Sequence, residues 1–175
     1  PLLGDVGDHG IEQALAGCAG GLVAHYVPNG TVPGMRWTHT QEIDTPVDTM
    51  WQVTMDVEAL PSMTPTMTAV ERLTPGDLRA GSQVRIKQPA QPARTWTVTE
   101  TQAPHRFVWQ TKVGLATMVA THELVETARG TSNTLTLDLT GPGSGLIGRL
   151  IGGKITETLA TENAGFKRAA EALKS

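Results

Sequence analysis

The chain has 175 residues, with 17 Asp+Glu against 14 Lys+Arg and a single cysteine, Cys18. The length fits one domain, and a net charge of −3 argues against a nucleic-acid or anionic-membrane partner, which calls for a basic stripe. One cysteine excludes an internal disulfide framework and a cysteine-rich zinc site, and no run of about 18 apolar residues is present to span a membrane.

Charge and composition divide the chain near residue 35. Residues 1–35 hold no Lys or Arg and three acids (Asp5, Asp8, Glu12), whereas the remainder balances 14 bases with 14 acids. The segment is rich in Gly and Ala and ends in Pro28-Asn29-Gly30 and Pro33-Gly34, which are turn and linker signals. Leu15-Ala16-Gly17-Cys18 imitates a lipoprotein cleavage box but lacks a basic and then apolar stretch upstream. Asn29-Gly30-Thr31 fits a glycosylation acceptor, a pattern common by chance. Residues 11–27 have the makings of a short helix, weakened by Gly17, Gly20 and Gly21. Residues 1–34 are therefore expected to be a weakly structured extension, and residues 35–175 the functional domain.

From Met35 the elements follow in order. Alternation of Trp37, His39, Gln41 and Ile43 predicts a strand over 35–43. Asp44-Thr45-Pro46 reads as a helix entrance, and Val47, Met50, Trp51 and Met55 then recur at helical spacing. A second helical piece over 57–60 is expected to stop at Pro61. Six strand-like runs follow, at 66–73, 83–88, 94–101, 106–113, 117–126 and 132–139. Turn chemistry such as Thr74-Pro75-Gly76-Asp77 and Ala103-Pro104-His105 separates them, which predicts an antiparallel meander. Residues 145–173 repeat apolar side chains at the 3.6-residue period, predicting one helix of about 29 residues and roughly 43 Å. Gly152-Gly153 is expected to kink this helix or to admit a strand at close range. Strand, helix pair, six strands and a long helix make an α+β domain.

These residues together resemble the START-like (SRPBCC) helix-grip superfamily, in its polyketide cyclase/dehydrase and lipid-transport branch. The likeness rests on Ile43-Asp44-Thr45-Pro46-Val47 with Met50-Trp51, then Leu60-Pro61, Gly81-Ser82, Trp96-Thr97-Val98-Thr99-Glu100, Phe107-Val108-Trp109, His122-Glu123-Leu124, Gly130-Thr131 and the final helix. It implies a curved antiparallel sheet of about seven strands wrapped around the C-terminal helix, with an apolar cavity between them. It also implies a bound hydrophobic or aromatic small molecule, lipid or polyketide-like. It fixes no reaction, because fold does not settle function.

On the strand faces expected to look inward lie Val84 and Ile86; Trp96 and Val98; Phe107, Trp109, Thr111 and Val113; Met118, Ala120, His122 and Leu124; and Leu135, Leu137 and Leu139. Either they fill a solid core or they line a ligand cavity, with Trp96, Trp109, Thr111, Met118, His122, Leu124, Val84 and Ile86 as candidate ligand contacts. Trp96 and Trp109 offer indole faces for an aromatic ligand. His122, with His39 from the first strand, is the candidate acid/base, since imidazole exchanges protons near neutral pH; the alternative is a satisfied core histidine and a rim histidine. Arg85 and Lys87 are assigned to the solvated outer face.

Other motifs are set aside. Gly148-x4-Gly153-Lys154 mimics a phosphate loop, but Ile155 replaces the Ser or Thr that would hold magnesium. Gly148 and Gly152 form a small-xxx-small pair, whose force belongs to membranes. The five histidines show no metal-ligand spacing, and no serine sits in a nucleophile elbow. The expectation is a cytoplasmic, cofactor-free and metal-free monomer or homodimer. It either carries a hydrophobic ligand or acts as a cofactor-independent polyketide cyclase/dehydratase through a cavity histidine.

Overall fold

The computed structural model describes residues 34–174. The readings for residues 1–33 lie outside the described residues. The elements are β1 (Met35–Ile43), α1 (Val47–Met55), a 3₁₀ turn (Val57–Ala59), α2 (Leu60–Met63), β2 (Ala69–Arg72), β3 (Gln83–Lys87), β4 (Arg94–Gln102), β5 (Arg106–Val113), β6 (Ala116–Thr127), β7 (Gly130–Thr140) and α3 (Ser144–Ala172). All seven strands join one antiparallel sheet in the order β1-β7-β6-β5-β4-β3-β2. Strands β2 to β7 form the expected meander, and β1 closes on β7 from Met35 opposite Leu139 to Ile43 opposite Thr131. A register shift between Val98 and Glu100 on β4 adds the local bend that a bulge brings. The sheet curves around the long C-terminal helix, a helix-grip fold.

Alternation decides which face is covered. Val84 and Ile86 on β3, Trp96 and Val98 on β4, and Phe107 and Trp109 on β5 are buried, while Arg85 and Lys87 between them are exposed. Arg85 pairs with Glu71 across the outer face at 2.9 Å. On the concave side α3 packs most extensively against β1, and it also meets β7, α1 and α2.

Two glycines of α3 set how closely it rides on β1. A methyl group at Gly148 would strike Met35 and come within 3.1 Å of Trp37, and one at Gly152 would lie 3.1 Å from the Trp37 indole nitrogen. The small-xxx-small pair thus acts here without a membrane: it lets Trp37 lie close against the helix. The helix runs unbroken from Ser144 to Ala172, so the phosphate-loop mimic lies inside a continuous helix and forms no loop.

Three local expectations are corrected. Asp44-Thr45 provides no side-chain cap for α1, whose N-terminal boundary falls at Pro46. Thr45 instead donates its hydroxyl to the carbonyl of Ala170 at 3.2 Å, and the Asp44 backbone N–H donates to Glu171 at 2.9 Å. These residues tie the β1–α1 junction to the far end of α3. Pro61 does not stop a helix; it sits in the first turn of α2, where its missing N–H costs nothing. The run over 66–73 is a strand only across Ala69–Arg72, with Thr68 and Leu73 at its edges donating to the carbonyls of Lys87 and Gln83. Ahead of it, Thr66 turns toward α3 and donates to Glu162 at 2.8 Å.

Candidate functional site

The curvature that brings α3 onto β1 and β7 leaves a gap between the helix and the middle of the sheet. The gap is a cavity of about 210 Å³, larger than the roughly 150 Å³ apolar cavity that accommodates benzene. The sheet contributes Ile86, Trp96, Trp109, Val113, Met118, Ala120, His122, Leu135 and Leu137, and α3 contributes Ile151, Lys154, Ile155, Thr158, Leu159 and Glu162. Met67 closes one side, and Gln88, Gln91 and Arg94 border it from the β3–β4 connection and the start of β4.

The aromatic wall is ordered by edge contacts. Trp109 lies 5.4 Å from Trp96 and 5.1 Å from Phe107, the latter edge-to-face. His122 meets Phe107 at 5.7 Å, Trp109 at 6.2 Å and Phe166 of α3 at 5.4 Å, each ring steeply inclined to its own. Such geometry places ring edges against π faces, the favoured arrangement. It also surrounds the imidazole with carbon. Burial accordingly lowers the His122 pKa from 6.5 to about 4, because the charged form loses its hydration. Among the described residues its buried Nδ1 has no hydrogen-bond partner.

The second titratable group on the wall is Glu162. Burial pushes its carboxyl up to about 7, opposed by the hydrogen bond from Thr66. A neutral imidazole and a carboxyl that protonates near neutrality therefore share one apolar chamber. Among the described residues, no group of three or more His, Cys, Asp or Glu is placed to hold a metal ion.

The sequence profile of the family described as "Polyketide cyclase / dehydrase and lipid transport" matches residues 35–175. The chain belongs to this family. No curated protein matches the chain. Solved structures share its architecture. The Zhui aromatase/cyclase from Streptomyces sp. R1128 is 20% identical over 79% of this chain and 94% of its own, with a TM-score of 0.63. Norcoclaurine synthase from Thalictrum flavum, solved with dopamine and hydroxybenzaldehyde, is 16% identical over 83% and 91%, with a TM-score of 0.65. TTHA0849 from Thermus thermophilus is 20% identical over 82% and 100%, at 0.62. At such identities the likeness shows the fold and nothing finer.

Within this polyketide cyclase/dehydrase family member, the residues singled out from sequence separate into groups. Ile86, Trp96, Trp109, Met118 and His122 converge on the cavity. Val84 and Leu124 face the same way but are sealed in the core outside the cavity lining. Thr111 donates to the carbonyl of Thr95 at 2.7 Å and borders a separate open depression between β4 and β5. His39 is not on the cavity wall. Its Nδ1 and its carbonyl accept from the Asn163 amide at 3.2 and 3.1 Å, so it serves to hold α3 on β1. Sequence reasoning missed Glu162, Thr158 and Lys154. The signal was present: these three lie four apart, and Glu162 follows Leu159 by three, which puts a carboxyl beside the apolar stripe of α3.

Proposed function

We propose that this family member binds a small hydrophobic or aromatic molecule in the cavity between α3 and the sheet, with residues 35–175 as the binding unit and residues 1–34 an extension to it. The observation that carries the reading is the chamber itself: about 210 Å³, walled by two tryptophans and aliphatic side chains with a few polar groups, the usual construction of a small-ligand site. The volume suits a compact guest of one or two fused rings. The His122 nitrogen, without a partner among the described residues, is a ready hydrogen-bond contact for a hydroxyl of such a guest.

The test is calorimetric titration with 2-naphthol, using the wild-type protein and Ala120→Phe. Ala120 lines the chamber, so a phenyl group there occupies the space the guest needs. Saturable 1:1 binding that disappears in a folded Ala120→Phe variant supports the reading. No binding to the wild type, or equal binding to both, overturns it.

A second reading, catalysis of a polyketide cyclisation or dehydration, has one specific observation behind it: two titratable groups on one apolar wall. Physical chemistry then favours a different residue from the one the sequence suggested. A general acid or base works best with a pKa near the working pH. His122, lowered to about 4, is a weak base at neutrality, whereas Glu162, raised to about 7, exchanges its proton there. In this reading Glu162 transfers the proton and His122 orients the substrate. Turnover of an aromatic polyketide precursor that is lost in Glu162→Gln, with substrate affinity retained, would favour it; unchanged turnover would end it.

A further inference from the structure

We propose that the cavity selects an apolar molecule carrying one anionic group, with its body between Trp96, Trp109 and Leu159 and its anion at a rim formed by Arg94 and Lys154. This rests on the binding reading above and adds the chemical class and orientation of the guest.

The lining is graded from solvent to interior. Lys154, Ile151 and Gln91 are exposed, whereas Trp109, His122, Leu135 and Leu159 are buried. The mouth therefore lies between the β3–β4 connection and the N-terminal half of α3. Along the helix Lys154, Thr158 and Glu162 line one side at four-residue intervals, so the lysine and the carboxyl stand about 12 Å apart.

The two ends differ in charge. At the rim, Arg94 reaches only the carbonyl of Lys112, at 3.4 Å, and neither Arg94 nor Lys154 has a carboxylate partner among the described residues. At the other end stand Glu162 and the uncharged His122. Among the described residues no cation offsets the desolvation that raises the Glu162 carboxyl, so an anion placed there would lose its hydration with no opposite charge to replace it. An anion at the rim instead meets two cationic donors and stays partly hydrated. The apolar body then points inward, and the polar end stays out.

Calorimetry at pH 7 and low salt with 2-naphthoate and its neutral isostere 2-naphthamide tests this, on the wild type, Arg94→Gln, Lys154→Gln and the double variant, with circular dichroism to verify folding. The expected result is naphthoate binding about tenfold tighter than the amide, as for charge-assisted contacts. Each single variant reduces that ratio, the double variant abolishes it, and added salt weakens naphthoate alone. Amide binding as tight as naphthoate overturns the inference while leaving the binding reading in place. A preference that survives in the double variant places the anion elsewhere and also overturns it. Binding of neither probe overturns both.

Discussion

Asn133 on β7 donates its side-chain amide to Asn163 Oδ1 at 2.9 Å, and both residues are fully buried. Asn163 in turn donates to the Asn133 carbonyl at 3.0 Å and to the His39 carbonyl at 3.1 Å. One amide thereby joins α3 to β1 and β7, on the side of the sheet where the helix sits closest. Anchoring there fixes how far α3 stands from the opposite side, which is where the cavity opens.

Replacing Asn163 by Leu removes every one of those bonds, each worth about 0.5–1.5 kcal/mol, and leaves the buried side-chain amide of Asn133 without its acceptor. Unsatisfied buried polar groups cost about 1–3 kcal/mol each, so Asn163→Leu is expected to lose about 2–4 kcal/mol. Urea unfolding measures it; a change under about 0.5 kcal/mol would show that the network is not what holds the helix.

Glu162 and His122 impose opposite pH slopes on stability. The folded-state pKa of Glu162, about 7 against 4.5 ordinarily, means its neutral form favours folding. That contribution is complete below pH 4.5 and is lost as pH rises through 7. His122, at about 4 against 6.5, also favours folding when neutral, so its contribution is complete above pH 6.5 and is lost as pH falls toward 4. Between these limits the two slopes largely cancel in the wild type.

Glu162→Gln uncovers the histidine. It should match the wild type near pH 4 and exceed it by about 2 kcal/mol at pH 8, allowing for the partial exposure of Glu162. His122→Leu uncovers the carboxyl, giving a protein whose stability climbs as the solution is acidified from pH 7 to 4.5. The corresponding loss of the histidine slope amounts to about 3 kcal/mol across its window. Chemical denaturation at a series of pH values reads both, and parallel profiles for all three proteins would contradict the assignment.

Two helical glycines give a paired test of packing. A methyl group at Gly165 would stand 2.5 Å from the carbonyl oxygen of Met63, whereas one at Gly153 would meet nothing within 4 Å. Backbone cannot yield as a side-chain tip does, so Gly165→Ala is expected to cost about 1–3 kcal/mol. Gly153→Ala should add about 0.5–1 kcal/mol through helix propensity alone. Thermal unfolding distinguishes them, and equal effects would mean that α2 does not press on α3 as described.

Much of this architecture was legible in the sequence because period and punctuation agree over long stretches. β1 and β5 begin and end where alternation and turn residues place them, and the apolar period gives α3 to within a residue or two. What alternation does not carry is height along the sheet. Val84 and Ile86 share a face, as do His122 and Leu124, yet only Ile86 and His122 reach the cavity, because the other two lie at a level that the core fills. Non-local partners were equally illegible. Asp44-Thr45 carries the residue types of a helix cap, but the end of α3, more than 120 residues away, offers competing partners and takes them. The strand face of His39 points to the cavity, but the asparagine that claims it comes from another element. Glu162 was readable from its four-residue spacing to Thr158 and Lys154, a polar sequence riding beside the apolar stripe.

Ligand binding here requires that the chamber under α3 admit an apolar guest. Intermolecular nuclear Overhauser effects between protons of 2-naphthol and the methyl groups of the protein test it most directly. Contacts to the ε-methyls of Met67 and Met118, both on the cavity wall, are expected. Contacts confined to Leu115 and Leu150, which are exposed on the surface, would contradict it.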